Sequence, residues 1–378
     1  MKRRLASKKT VVCVGPGGVG KTTTAAALGV IAARSGLRTL VCTIDPAPRL
    51  ADALGVANLG AKPSPIAAAT AAALGIASPD MLHAMRVDPS AAFAQLVNEQ
   101  VADPELRSHI FGNPLYRSVT TNLTGSQEYA ATLALYEIRR DGHYDLIVLD
   151  TPPTANALEF LETPERLATA IASPAVQWFA RPDPREKRFS LKRLGVGGAM
   201  VIRRAGRLMG SQFLDDLGAF LLDIREVLGG FLARAREIEA VLKQPDVGFV
   251  LVLTPAAAAV SEALYFARRL RETGSPLCCF IANRTLPEPG NCTNVSLRAG
   301  IESLSALRDL SQEELDLATA YLARMAEFLG KIARAQKQEL ERLAREAPGI
   351  EITTVPLLPH DVSNIDSLRA IADRLGSV

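Results

Sequence analysis

Residues 10–34 read TVVCVGPGGVGKTTTAAALGVIAAR, an apolar β-type run that breaks into glycine and restarts as an alanine-rich helical run. This order constrains the fold more than any other feature. A strand that is apolar at every position is buried on both faces, which requires a parallel sheet covered by helices on each side. Gly15, Gly20, Lys21 and Thr22 satisfy the spacing G-x-x-x-x-G-K-[ST]. Glycines let consecutive backbone N–H groups converge on an anion, and the helix starting at Lys21 adds the positive end of its dipole. The expected ligand is therefore phosphate. It is cradled by Gly15, Gly17, Gly18, Val19 and Gly20, with Thr23 following into the helix. Lys21 is expected to reach the β- and γ-phosphates of a nucleotide, and the Thr22 hydroxyl to complete a Mg²⁺ shell.

The same alternation continues along the chain. Strands are expected at Thr10–Val14, Thr39–Ile44, Leu146–Asp150, Gly248–Thr254, Leu277–Asn283 and Ile350–Val355. Helical patterns occupy Lys21–Ser35, Ala256–Glu272, Gln312–Glu346 and Asn364–Leu375. The expected fold class is α/β, a P-loop NTPase with a mostly parallel central sheet flanked by helices. Residues 1–154 and 246–378 form the core, and 155–245, which has no convincing strand, forms a helical insertion subdomain. In that insertion Phe213, Leu217, Phe220, Ile224, Val227 or Leu228, and Phe231 recur at helical steps. The face reads either as helix packing or as a groove for an apolar partner. Residues 51–123 read as largely helical, with an alanine-rich stretch at 66–76.

Charge and cysteine bound the partners. The chain has 378 residues and a net charge of +3, too small to argue for nucleic acid. Residues 181–210 alone carry nine basic and two acidic side chains, a net +7 that leaves the remainder at −4. Such a run is most simply a solvated face, and it equally suits an apolar client with acidic or lipid-headgroup surroundings. Five cysteines show no C-x-x-C pair, and four lie in or beside apolar strands, as reduced structural thiols do. With no apolar run of about 18 residues, the expectation is a cytoplasmic protein, with contact at a membrane periphery left open.

A site that hydrolyses a nucleotide needs carboxylates at neighbouring strand ends. TLVCTIDPAPRLADALG puts Asp45 after the second strand, and YDLIVLDTPPTANAL puts Asp150 at the end of another. Either one alone could be a turn former, but the two together downstream of a phosphate loop are not easily explained that way. Asp150 has the setting of the acid that holds Mg²⁺, directly or through water, and Asp45 of the residue that orients the attacking water.

In order along the chain, GPGGVGKTTTAAAL, IDPAPRLADALG, DTPPTANALEFL, ANRTLPEPGN and VPLLPHDV resemble the ArsA-type ATPase family of arsenite-transport ATPases and targeting factors for tail-anchored membrane proteins. The resemblance covers the nucleotide-binding core and is weak across residues 51–123 and the helical insertion. It implies ATP and Mg²⁺ as ligands and ATP hydrolysis as the activity, with Asp45 in the first switch. It places Asp150 in the second, with Thr151–Asn156 moving when the γ-phosphate leaves. It also implies that Asn283 contacts adenine through its amide while Pro356 and Leu357 wall the base. The implied assembly is a homodimer, or a heterodimer with a related ATPase subunit, whose helical surface holds a hydrophobic or membrane-protein client.

Three departures qualify this. The targeting factors carry a zinc-binding C-x-x-C after the stretch matching ANRTLPEPGN, whereas here only Cys292 is present, so no zinc is expected. One P-loop and no thiol cluster make an arsenite efflux subunit the weaker reading. Finally, the family's signature lysine, at the second position of the loop, is replaced by Pro16. Proline removes that cation and one N–H, leaving a partner subunit or Arg49 of DPAPR as alternative sources. The competing functional reading is a nucleotide-dependent partition or scaffold factor of the ParA and MinD kind, acting on DNA or membrane. Nucleic acid is disfavoured, and the closing stretch IDSLRAIADRLGSV is short and balanced in charge.

Overall fold

The computed structural model describes residues 1–114, 116, 126–151, 169, 223, 225–290, 292–304, 310–359 and 364–377. Its centre is an eight-stranded sheet made of β1 (Thr10–Val14), β2 (Thr39–Thr43), β3 (Ser64–Pro65), β4 (Leu82–Arg86), β5 (Leu146–Asp150), β6 (Val247–Leu253), β7 (Leu277–Thr285) and β8 (Glu351–Pro356). The spatial order is β3-β4-β2-β5-β1-β6-β7-β8. Each pair is parallel except β3 with β4. The α/β fold class read from the sequence is therefore the observed one.

Twelve α-helices are described, in chain order α1 (Lys2–Ala6), α2 (Lys21–Arg34), α3 (Arg49–Ala53), α4 (Ala68–Ala73), α5 (Pro89–Gln100), α6 (Pro104–Gly112), α7 (Ser126–Asp141), α8 (Arg225–Leu242), α9 (Ala257–Thr273), α10 (Asn294–Ser303), α11 (Gln312–Glu346) and α12 (Ile365–Gly376). Alternate residues of the central strands feed two cores. Val12, Leu149 and Leu251 meet α5, α7, α8 and α9 on one face, while Val11, Val148 and Val250 meet α2, α4 and α12 on the other. All five residues of β1, β2 and β5 are buried. That two-sided burial is why their sequences are apolar throughout.

One segment departs from its reading. Residues 51–123 contain β4, in parallel register with β2 from Thr39↔Leu82 to Thr43↔Arg86, and the short β3 at its edge. LHAMR mixes His and Arg with apolar residues because β4 lies near the sheet's rim, so it lacks the continuous apolar signature of the inner strands. The other strand expectations match within one or two residues, β2 ending at Thr43 and β6 starting at Val247.

Of the expected insertion at 155–245, α8 is described. Arg234 ties it to the core by pairing with Glu99 of α5 at 2.9 Å and Glu137 of α7 at 3.5 Å, with its guanidinium 4.6 Å from the Tyr136 ring centre. The basic run from Arg181 to Arg207 and the apolar face from Phe213 to Phe231 lie outside the described residues or side chains. The C-terminal α12 buries Leu368, Ile371, Ala372 and Leu375 in the same core as α2, so its apolar face is spent on the fold. Among the described residues no helix is long and apolar enough to cross a membrane.

Helix α11 connects the two edges of the sheet. Its last turns lead into β8, while Gln336 accepts a hydrogen bond from Leu286 N at 2.7 Å, just past β7. Residues 312–329 therefore continue roughly 27 Å beyond the carboxyl edge, at about 1.5 Å per residue, with α10 packed alongside. A capping box starts this helix, Ser311 accepting from Glu314 N and the Glu314 carboxylate accepting from Ser311 N. Leu317, Tyr321, Met325 and Phe328, at steps of four, four and three, make an exposed apolar stripe on the projecting half.

Candidate functional site

The glycine loop joins β1 to α2 at the carboxyl edge, and its conformation explains its composition. Gly15, Gly18 and Gly20 have φ of 149°, 75° and 95°. Space is as restrictive as torsion: a Cβ on Gly15 would lie 2.0 Å from the Val252 carbonyl oxygen, and one on Gly20 2.3 Å from Asn283 Nδ2. Gly20 is also the N-cap of α2, so the helix N–H groups open towards the loop. Gly17 and Gly18 are exposed, Val19 is buried, and Thr23 is half-buried at the third position of α2.

Lys21 is 6% exposed, and its ammonium donates to the carbonyls of Gly15 at 2.9 Å and Pro16 at 2.8 Å. The lysine is thus held inside the loop it would serve. Burial lowers its pKa, and the neighbouring Asp150 carboxylate works against that shift.

Asp150 ends β5 opposite Cys13 of β1 and Thr43 of β2, which fixes it between two strands. Its Oδ2 accepts from the Thr22 hydroxyl at 2.7 Å and the Thr43 hydroxyl at 3.0 Å. Its Oδ1 is buried with no hydrogen-bond partner. A carboxylate oxygen left unpaired in the interior is costly unless a cation takes it up. Burial raises the Asp150 pKa to about 6, against the opposing pull of the two threonine hydrogen bonds and Lys21. The residues fit Mg²⁺: a hard oxygen donor set of Thr22 and Asp150 beside a phosphate loop, with a free buried acceptor.

Asp45 lies just past β2. Its N–H donates to Thr43 Oγ1 at 3.2 Å, its Oδ1 accepts from Ala47 N at 2.9 Å, and its Oδ2 pairs with Arg49 Nη1 at 3.3 Å. Thr43 was not singled out from the sequence, yet it donates to Asp150 and accepts from Asp45 and so sets the spacing of both acids. The available signal was its position in CTID, two residues before the acid. Thr151, similarly placed after Asp150, donates its hydroxyl to Cys13 O at 2.8 Å. Pro152–Asn156, the rest of the expected second switch, lie outside the described residues.

Asn283 reaches the same edge from β7, but towards the loop. Its Nδ2 donates to Val19 O at 2.8 Å, and its Oδ1 accepts from Arg284 N at 2.9 Å. Arg284 is the one non-glycine residue with positive φ among those described, 59°, and the β7–β8 register shifts across it. Pro356 closes β8, and Leu357, 51% exposed, follows with its N–H on Thr285 O at 2.9 Å. Asn283, Pro356 and Leu357 therefore cluster at adjacent strand ends, with the Asn283 amide also bracing the phosphate loop. A separate cleft of about 510 Å³ between α5 and α7 shares none of these residues.

A phosphate loop after the central strand, acids on the two strands to one side and α/β layering define a P-loop nucleotide-binding protein. Residues 8–176 match the family described as anion-transporting ATPase. This match and the relatives below support membership of the ArsA-type ATPase family. It is 23% identical to a putative arsenical pump-driving ATPase 1 of Aquifex aeolicus, across 96% of this chain and 78% of that protein. It is also 23% identical to an ATPase GET3 of Malassezia globosa, across 82% of this chain and 84% of the relative. Identity reaches 35% with an uncharacterized protein of Streptomyces coelicolor, over 43% of this chain and 39% of that protein.

Proposed function

We propose that this chain binds ATP with Mg²⁺ and hydrolyses it to ADP and phosphate, as a switch whose nucleotide state changes a helical surface. The observation that carries the reading is the unpaired buried Oδ1 of Asp150 beside Thr22 and Lys21. In this reading the loop N–H groups hold the phosphates and Lys21 gives up the Gly15 and Pro16 carbonyls for phosphate oxygens. Thr22 and Asp150 hold Mg²⁺, which when bound neutralises charge on the β- and γ-phosphates. Asp45 orients water: a bond forms from the water oxygen to the γ-phosphorus while the bond to the bridging oxygen breaks. Its electron pair stays on ADP, and the water's protons pass to phosphate and solvent.

A hydrophobic client is the second part of the proposal. The stripe of Leu317, Tyr321, Met325 and Phe328 supports it, because the projecting half of α11 stands on the same edge as the loop. A dimer, with itself or with a related subunit, is the assembly we propose. Helix α12 packs its apolar face on the core, so that face does not serve the ParA and MinD type of membrane attachment.

One experiment tests both parts. Asp45→Asn is expected to bind ATP with near-normal affinity while releasing little phosphate, and the trapped full-length protein is then purified from cells. Retained membrane-protein segments support the client reading, whereas nucleic acid lost at moderate salt supports a partition factor. Unchanged phosphate release would remove Asp45 from the chemistry.

A further inference from the structure

Both oxygens of Asp45 are engaged, Oδ1 by Ala47 N from its own turn and Oδ2 by Arg49. Each oxygen keeps a further acceptor site, but Oδ2 paired with a guanidinium is a weaker acceptor for water than an unpaired one, so loss of a contact would favour catalysis. The Ala47 contact is backbone, fixed by the turn. The Arg49 contact is the movable one: its side chain is 60% exposed, against 11% for Asp45, and it stems from the first residue of α3. An ion pair at that exposure is weak, and a bound γ-phosphate presents more charge than one carboxylate.

Arg49 opens α3, which packs against α2, the helix that starts from the phosphate loop. In that loop Lys21 lies between the Gly15 and Pro16 carbonyls, and Pro16 itself supplies no cation. Phosphoryl transfer spreads negative charge over the equatorial γ-oxygens, and a planar guanidinium with paired donors suits that charge better than an ammonium.

We infer that Arg49 is a catalytic residue that exchanges partners, leaving Asp45 Oδ2 for the γ-phosphate when ATP is bound. The exchange frees Asp45 to orient water and places a cation on the charge that develops in the transition state. Binding of the triphosphate thereby releases Asp45, and a diphosphate, lacking the γ-phosphate, leaves it paired. This rests on the ATPase reading above.

The test uses the full chain with Mg²⁺ and ATP, measuring single-turnover phosphate release and, separately, ATP affinity. Arg49→Ala is expected to lower the rate of the chemical step by about a hundredfold or more while ATP affinity stays within a few fold. Arg49→Lys recovers part of that loss, and low-millimolar guanidinium ion recovers part of it in Arg49→Ala. A merely structural arginine would respond to neither. Wild-type turnover in Arg49→Ala, or a loss confined to ATP affinity, would overturn the inference. Absence of phosphate release from the wild-type chain would instead overturn the ATPase reading on which it stands.

Discussion

Asp150 carries an electrostatic cost that a purely structural residue would not retain. Its pKa is raised to about 6 from 3.8 by burial, so the folded chain binds the proton more tightly than the unfolded chain does. The protonated form is favoured on folding, hence stability conferred at low pH is lost as pH rises from about 4 to about 6. Above that range the buried charge costs on the order of 3 kcal/mol, from roughly two units at about 1.4 kcal/mol each. Asp150→Asn removes the titration. We expect it to raise the urea midpoint of the nucleotide-free protein at pH 7 and to flatten its decline between pH 4 and 6, while abolishing Mg²⁺-dependent phosphate release. A variant less stable than wild type at pH 7 would contradict this reading. Other residues of the site were legible because chemistry restricts them. Gly15 and Gly20 must be glycine for their φ, and Lys21, Thr22, Asp45 and Asp150 stand at fixed offsets from strand ends. Thr43 was not legible as a site residue, since a threonine in a strand is ordinarily there for β-propensity and only the three-dimensional register joins it to Asp150.

At the scale of elements, the inner strands were readable because burial on both faces writes itself as an unbroken apolar run. At the sheet's rim β4 lost that signature, since LHAMR, with only the short β3 beyond it, mixes polar with apolar positions. Helix α11 was readable along its whole length, Gln312–Glu346, but its pattern could not tell which half packs on the sheet. Ala333 and Leu343 are buried in the sheet-packed half, whereas Tyr321 and Phe328, 63% and 58% exposed, lie on the projecting half. Replacing both by serine removes exposed apolar area without touching either core. The double variant is expected to bind an apolar fluorescent dye several-fold less than wild type, with an unchanged rate of phosphate release. An unchanged dye signal would mean that the stripe is not the accessible apolar surface of the molecule.

At the scale of the whole molecule, everything the proposed reaction needs converges on one edge of the sheet. The loop comes from β1, the acids from β2 and β5, and Asn283 braces the loop from β7 on the far side. Convergence at the carboxyl ends of parallel strands follows from topology, because each crossover returns the chain to start the next strand at the opposite edge. The most direct test of this account is steady-state phosphate release from the full-length chain with Mg²⁺ and ATP, beside Lys21→Ala. The account predicts release by the wild type that Mg²⁺ chelation abolishes and Lys21→Ala reduces to background. Undiminished release by Lys21→Ala would contradict it.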